Sequence, residues 1–490
     1  MPIGSIASTQ HEEWSLREKD FKTYFHFDAL HDARFLQKAA QDDNFVAKHS
    51  FYPLILFKEE WTKFRECSVR RNKVRPLRYA ARLDAAIYAY HRFSLSKRYE
   101  EYLEKKGISE MPIAYRKIPK GKQVGNKCNI EFAKEAFDFI RETKHCDVTI
   151  VDVSSFFESL DHQKILCAWQ KVLARDLNEA ESAVFRSITK YSVVDRDQLF
   201  ERLGLFEFGS GINRRERRMR KIDKIRDKGD RKLCSNQEFR DLVCGGDVRK
   251  PSLIQKNNKG KGIPQGTPVS DLIANIYMID FDLKVSRWVR KRGGKAFRYC
   301  DDIIIILPRK NGQSYEIASN YLRSLVTKNF KELKIKPEKV AIGRFIPASR
   351  ELIFTHLSGP ASVNGLEYLG FQFDGKVVQL KNSTMSNAWR KLKKRSHGWA
   401  KRWVRQYKLK GDAWLLENAP IDRKVTETLK DKRASKIENF GELTFRSYVE
   451  RCDRVFSDYE TNFKSQLRRY KRLCRKQFET ALTKAIKTYG

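Results

Sequence analysis

The sequence predicts a mixed α+β fold, and three stretches carry that reading. Arg298-Tyr-Cys-Asp-Asp-Ile-Ile-Ile-Ile-Leu307 sets two adjacent carboxylates against four isoleucines, and so short a β-branched run reads as a buried strand. Thr149-Ile-Val-Asp152 is a second such run. After it the pattern turns helical through Val-Ser-Ser-Phe-Phe157-Glu-Ser-Leu-Asp-His162. From residue 380 onward the composition becomes helical and basic.

A buried strand does not ordinarily open with two unpaired charges, because each is costly to desolvate. Asp301 and Asp302 therefore either form a polar turn feeding a hairpin, a common use of Asp pairs, or face a compensating cation. Mg²⁺, with its preference for oxygen ligands, is the cation this donor set suits. Two strands that each deliver a carboxylate can meet and hold two Mg²⁺ ions about 3.5–4 Å apart, with Mn²⁺ as a substitute. That arrangement serves in-line nucleotidyl transfer, in which a 3′-hydroxyl is activated and a leaving pyrophosphate steadied.

A further stretch lies between the two carboxylate strands: Lys261-Gly-Ile-Pro-Gln-Gly-Thr-Pro-Val-Ser270, followed by the apolar helical pattern 272–278. Its glycines lack the Lys-Ser/Thr ending of a phosphate-binding loop and the spacing of a dinucleotide fold. Asp152 to Phe157, Gly262 to Ser270 and Tyr299-Cys-Asp-Asp302 resemble, in order, three palm motifs of the reverse transcriptases. Leu333-Lys-Ile-Lys-Pro-Glu-Lys339 resembles their intervening palm motif, and Glu367-Tyr-Leu-Gly-Phe371 their primer-gripping hairpin. Five such matches in order over roughly 220 residues are far more specific than any one alone.

The resemblance implies a right-hand polymerase: fingers, an antiparallel palm and a helical thumb. It implies catalytic Asp152, Asp301 and Asp302, with Asp301 the stronger metal ligand and the Val153 carbonyl completing one metal's shell. It places Phe157 under the sugar, where it excludes a 2′-hydroxyl, and Gln265 and Gly266 at the incoming nucleotide. Lys339 becomes a candidate general acid for pyrophosphate, the alternative being a surface lysine. Tyr368, Leu369 and Gly370 become the primer grip. Cys300 fills the variable position of its box and is not read as a nucleophile. His162 is read as a capping or packing residue.

Composition narrows the classes. The 490 residues hold 99 Lys+Arg against 61 Asp+Glu, a net charge of +38. Such an excess points to a polyanion partner, with a membrane surface as the competing reading. No apolar run reaches the length of a membrane span, and the first residues lack a signal pattern. Nine cysteines without a CxxC pair read as reduced, cytoplasmic thiols and argue against an appended zinc nuclease.

In chain order, residues 1–50 read as a helical extension and 51–145 as fingers. Within the fingers, a helical pattern is expected from Glu59 and a basic cluster spans Arg70 to Pro76. Arg75, Arg116 and Lys117 would clamp a triphosphate and template, the alternative being a solvated basic face. Arg75-Pro76…Asp84, Ala114-Tyr-Arg-Lys117 and Asn129-Ile-Glu-Phe-Ala133 resemble the bacterial abortive-infection and unknown-group reverse transcriptases, many of them anti-phage defence proteins. Residues 146–194 and 261–378 are the two parts of the palm, and Ser270 is expected to cap the helix after it. Between them, 195–260 is a basic insertion. Arg214, Arg215, Arg217 and Arg218 open a run that is either a helix laid along RNA phosphates or a solvated insertion.

Residues 379–490 read as the thumb. Trp399, Trp403 and Tyr407 share one helix face and are expected to pack in a core. Lys393, Lys394, Arg395 and Arg402 are candidates for phosphate contact. From Phe445 to Ile486 the apolar spacing predicts one long amphipathic helix, used as a thumb helix or as a homo-oligomer surface. The expected partners are therefore an RNA template (a dedicated non-coding RNA), dNTPs and a DNA product, with no membrane. Two rivals share the sequence: untemplated or protein-primed DNA synthesis by the same site, and a non-enzymatic RNA-binding scaffold. A group II intron maturase is a further possibility against which the fingers motifs lean.

Overall fold

The computed structural model describes residues 13–63, 71–121, 123–208, 216–218, 225, 229, 231–349, 351–360, 364–429 and 444–489. The strands are β1 (Leu54–Lys63), β2 (Arg71–Tyr79), β3 (Pro119–Lys120), β4 (Gln123–Asn126), β5 (Cys146–Ser154), β6 (Ser192–Asp195), β7 (Phe206–Phe208), β8 (Glu216–Arg218) and β9 (Gln255–Lys256). They continue with β10 (Lys295–Tyr299), β11 (Asp302–Pro308), β12 (Lys334–Ala348), β13 (Glu351–Ser358), β14 (Leu366–Tyr368), β15 (Phe371–Phe373), β16 (Val377–Leu380) and β17 (Glu460–Thr461). The main helices are α1 (Ala33–Gln41), α2 (Asp43–Lys48), α3 (Arg82–Lys105), α4 (Asn129–Thr143), α5 (Phe156–Ser159), α6 (His162–Leu173), α7 (Glu179–Thr189), α8 (Arg196–Arg202) and α9 (Ser270–Tyr277). After α10 (Ile279–Arg290) and α11 (Ile317–Asn329) come α12 (Asn382–Tyr407), α13 (Asp412–Glu417), α14 (Ile421–Leu429), α15 (Phe445–Val455), α16 (Phe463–Leu467) and α17 (Tyr470–Tyr489). The expected α+β class is thus observed. None of the described helices is long and apolar enough to cross a membrane.

The chain divides into two units. The first comprises Met1–Tyr115, Val153–Val285 and Val326–Lys334. Its sheet runs β2-β1-β6-β9. Residues 59–63, expected to be helical, form the second half of β1, because 71–75 of β2 pair with them antiparallel; a continuous strand partner outweighs local propensity. Among the described residues, the N-terminal extension is helical in a short turn at Glu18–Asp20 and in α1 and α2. Upstream of α1 Phe27 enters a core with Ile55, Val194 and Leu199. There the buried Arg82 guanidinium donates to Asp28 Oδ1 (2.8 Å) and to the carbonyls of Tyr24 (2.7 Å) and Arg231 (2.8 Å). Asp28 in turn accepts the first amides of α3. A buried arginine with so many partners is compensated, so the extension is stitched into the unit.

Two further expectations in this unit are corrected. Ser270 does not cap α9: the helix begins at Ser270 itself, and its hydroxyl pairs with Thr267 Oγ1 at 2.6 Å. In the basic insertion, residues 216–218 are not helical but form β8, antiparallel to β7. The rest of 214–228 lies outside the described residues, except Ile225.

The second unit comprises Arg116–Asp152, Ser286–Leu325 and Ile335–Gly490. Its five-stranded sheet has the order β10-β11-β5-β12-β13. Ile303, Ile304, Ile305 and Ile306 are all fully buried in β11; an unbroken apolar run marks a strand covered on both faces. A second sheet, β14-β15-β16-β17, holds an aromatic core in which Phe373 meets Phe137 (4.9 Å) and Phe345 (5.5 Å). The expected single helix over 445–486 is overturned: α15, β17, α16 and α17 replace it. Phe456 and Phe463 both pack on Phe371, at 5.3 and 6.1 Å, and β17 pairs with β16. The apolar spacing survives the break because the segments feed cores on either side of it. The stripe that suggested self-association is used internally, since Phe478, Ala481, Leu482 and Ala485 are buried with Trp399, Ala400 and Val404. Trp399 meets Phe478 edge-on at 5.5 Å and the Trp403 indole donates to the Leu415 carbonyl, so these rings are core, as expected.

Candidate active site

The β10–β11 hairpin decides where the two adjacent aspartates go. Tyr299 pairs with Asp302 across it, leaving Cys300 and Asp301 as a two-residue turn. Of the two only Cys300 has a positive φ, +61°, a conformation that costs a non-glycine residue about 1 kcal/mol. The turn is held from below, where the fully buried Arg298 donates from Nη1 to the Cys300 carbonyl at 3.1 Å. The turn reading therefore holds: a hairpin presents Asp301 at its tip and Asp302 at the first position of β11.

β11 runs antiparallel to β5, and the register sets Asp302 directly opposite Asp152. Directly opposed residues have Cβ atoms about 4.5–5.5 Å apart, and like charges there are destabilising. The electrostatics follow. Crowding by protein atoms raises the Asp302 carboxyl to about 7, reinforced by Asp301 and then Asp152. Asp301 is raised by burial and by Asp152. Lys339 on β12 salt-bridges Asp152, while Asp301 and Asp302 have no ion-pair partner among the described residues.

Asp147, five residues earlier on β5, shows what a structural carboxylate looks like in the same strand. It is buried and gripped by Arg344 (Nε, 2.6 Å) and Arg309 (Nη1, 3.4 Å). The contrast is chemical: Asp147 is neutralised by two guanidiniums, whereas the other three carboxylates have a single direct ion pair among the described residues, Lys339 on Asp152. An all-oxygen donor set with excess negative charge fits a hard divalent cation. Among the described residues no group of three or more His, Cys, Asp or Glu side chains already forms a metal site, and Asp152 is turned to Lys339.

The remaining expected site residues fall as follows. Tyr368 is buried and ends β14; Leu369 (φ +44°) and Gly370 (φ +95°) form the two-residue turn into β15. With both turn residues left-handed this is a type I′ hairpin. Asn129 fastens it, donating to the Leu369 carbonyl (3.1 Å) and to Tyr448 Oη (3.0 Å). Lys381 pairs with Glu367 at 2.6 Å and lowers the Asp302 carboxyl electrostatically. Arg116 and Lys117 precede β3 in the same unit. Lys393, Lys394, Arg395 and Arg402 are exposed on α12.

Arg75, Val153, Phe157, Gln265 and Gly266 belong to the first unit. Val153 follows Asp152 on β5, and Arg75 is exposed on β2. Phe156 is buried while Phe157 is only half-buried, so Phe156 is the core ring of the two. A Cβ on Gly266 would lie 2.6 Å from the Arg78 carbonyl, and the Gln265 carbonyl accepts from the Arg78 amide. The close approach read from Gly266 is thus to the protein's own β2. His162 meets the Gly262 carbonyl at 2.9 Å, a packing role. Arg217 and Arg218 lie in β8, and Arg214 and Arg215 are outside the described residues. Arg298, Lys381 and the Asp147 cluster carry no sequence signal, because nothing local distinguishes them from other polar residues; Asn129 lies in a fingers motif, but its bond to the Leu369 turn is visible only in the fold.

Residues 228–373 match the reverse transcriptase (RNA-dependent DNA polymerase) family. The chain carries a reverse transcriptase domain. The reverse transcriptase match is that of an RNA-directed DNA polymerase. It takes in Gln265, Asp301, Asp302, Lys339 and the Tyr368–Gly370 hairpin, whereas Asp152 lies upstream and reaches Asp302 through strand pairing. No curated protein matches the sequence. Among solved structures the chain is similar to apo telomerase from Candida tropicalis truncated from the C-terminal domain, at 8% identity and a TM-score of 0.37, over 70% of this chain and 59% of that one. It is also similar to telomerase from Candida albicans in complex with a TWJ fragment of telomeric RNA, at 12% identity and a TM-score of 0.36, over 91% and 62%. The chain thus spans about three-fifths of the length of these telomerases.

Proposed function

We propose that the chain is an RNA-directed DNA polymerase with the right-hand architecture, its fingers, palm and thumb falling where the motifs set them. The observation that carries this is the pairing of Asp302 with Asp152 beside a turn that presents Asp301, with no arginine ion-paired to the set among the described residues. Asp152, Asp301 and Asp302 would hold two Mg²⁺ ions (or Mn²⁺), which supply charge for activating a 3′-hydroxyl and for steadying pyrophosphate. The primer 3′-oxygen attacks the dNTP α-phosphorus and the bond to the β-phosphate oxygen breaks. Lys339 is the general acid, its Nζ on the carboxylate edge of β12 and able to pass a proton to the departing pyrophosphate. The hairpin turn at Leu369-Gly370, fastened by Asn129, holds the primer strand. The motif resemblance assigns the incoming nucleotide to Phe157, Gln265 and Gly266, and triphosphate and template to Arg75, Arg116 and Lys117. The exposed basic residues of α12 and the run from Arg214 take nucleic-acid phosphates. The resemblance of the fingers motifs supports a defence-associated enzyme with a dedicated non-coding RNA, and the cysteines without zinc-type pairing support a cytoplasmic one.

Asp301→Ala with Asp302→Ala should abolish dNTP incorporation while leaving RNA affinity within about two-fold, since phosphate contacts dominate that affinity. Retained incorporation sinks the assignment. Sequencing the wild-type product against the co-purifying RNA tests the templating: homopolymeric or protein-attached DNA would replace templated synthesis by untemplated or protein-primed synthesis at the same carboxylates.

A further inference from the structure

The helical end of the second unit forms a half-open pocket of about 720 Å³, lined by Leu429 and by residues within 446–454 and 464–471. None of them belongs to the sheet that carries the aspartates. The volume is in the range of cavities that hold small organic ligands, about 300–1,000 Å³. Its wall is apolar where Val449, Leu467 and Tyr470 meet it, and Tyr470 packs edge-on against Phe445 at 5.6 Å. Its rim is charged and unbalanced. Arg446 is paired with Glu450 (2.7 Å) and Lys464 with Asp453 (2.8 Å). Arg454, Arg468 and Lys471 line the same cavity, and none of the three has an ion-pair partner among the described residues. Arg395 of α12 adds its field, lowering the Tyr470 phenol electrostatically against the rise that burial causes.

The geometry points to a binding site for single-stranded RNA: a base enters against Leu467 and Tyr470 while successive phosphates lie on Arg454, Arg468 and Lys471. Three cations without an ion-pair partner among the described residues, set around an apolar pocket, match the alternation of flat apolar base and anionic phosphate along a strand. A bare anion site would need no apolar wall, and an apolar ligand would not call for the cations. The pocket is a second holding point, built from other elements than the carboxylate hairpin, and it would keep an RNA on the chain independently of synthesis.

The test uses the full chain in EDTA, so that the reading does not depend on the polymerase assignment. A fluorescein-labelled single-stranded RNA is titrated by anisotropy across a salt series. Replacing Arg454→Ser, Arg468→Ser and Lys471→Ser together should weaken binding at least ten-fold. It should also reduce the slope of log Kd against log salt by about 2, the loss expected for three single-strand phosphate contacts. Leu467→Trp, which fills the cavity and changes no charge, should weaken binding several-fold with the salt slope unchanged. The control Lys328→Ser with Lys331→Ser, on exposed residues outside the cavity, should do neither. Free ATP in excess should compete weakly and inorganic phosphate not at all. Affinity and slope in the triple variant equal to the control's would overturn the proposal, as would a Leu467→Trp chain that binds like wild type, or displacement of the RNA by phosphate alone.

Discussion

Tyr368 is buried, yet its hydroxyl has no hydrogen-bond partner among the described residues. It feels the charge of Asp302 and the hydroxyl of Tyr299. An unsatisfied buried hydroxyl costs about 1–3 kcal/mol. Tyr368→Phe should therefore raise the unfolding free energy by about 1 kcal/mol in urea. A variant no more stable than wild type would show that the hydroxyl is already satisfied. Arg344 sits at the other extreme. Arg344→Met strips Asp147 of its closest partner, leaving a buried carboxylate on Arg309 alone, and should destabilise by about 3 kcal/mol. A loss under 1 kcal/mol would mean that Arg309 suffices. At this scale the sequence marked Asp152, Asp301 and Asp302 because strand and acid are adjacent in the chain. It could not mark Arg298 or Lys381, whose partners are the Cys300 carbonyl and Glu367 in the fold.

Among the elements, the hairpin at Leu369-Gly370 carries visible strain. Leucine at φ +44° occupies the position that type I′ turns fill with asparagine. Leu369→Asn creates Asn-Gly and should stabilise the unit by about 1 kcal/mol, read as a shift of the urea midpoint with unchanged slope. No shift would mean that the leucine side chain repays its backbone. The elements misread from sequence share one cause. The segment after Glu59 had a helical pattern but found a strand partner in β2, and the stripe from Phe445 to Ile486 kept its period through Phe456, β17 and Phe463. Periodicity reports which residues are buried, not whether one core or two receive them.

For the whole molecule, acid should unfold the chain in two windows. Burial lowers the His26 imidazole from 6.5 to about 3 against the Tyr79 carbonyl that favours its charge. Burial would raise Glu131, but Arg451 and the Cys128 amide overcome it and hold that carboxyl at about 2 instead of 4.5. In both cases the unfolded chain binds the proton more tightly. The stability each confers is complete above its unfolded value, and it is lost as pH falls from 6.5 toward 3 for His26 and from 4.5 toward 2 for Glu131. Between pH 6.5 and 4.5 His91, also lowered by burial, acts in the same direction as His26, whereas Asp302, raised to about 7, gains stability as pH falls. The urea midpoint should therefore drop further over that interval in wild type than in His26→Phe, and identical pH profiles of the two would remove His26 from the account.

What the sequence determined by itself was local: the strands rich in isoleucine and valine, the acids at their ends, the motif order of a polymerase and a charge suited to RNA. Each is set by neighbours a few residues apart, where propensity and hydration act directly. The tertiary structure alone decided that Asp302 faces Asp152, that Asp147 is neutralised while Asp301 and Asp302 are not, and that the C-terminal aromatics close two cores. These depend on which strands pair and on which distant cations reach a buried charge, and such energies exist only once the chain has folded.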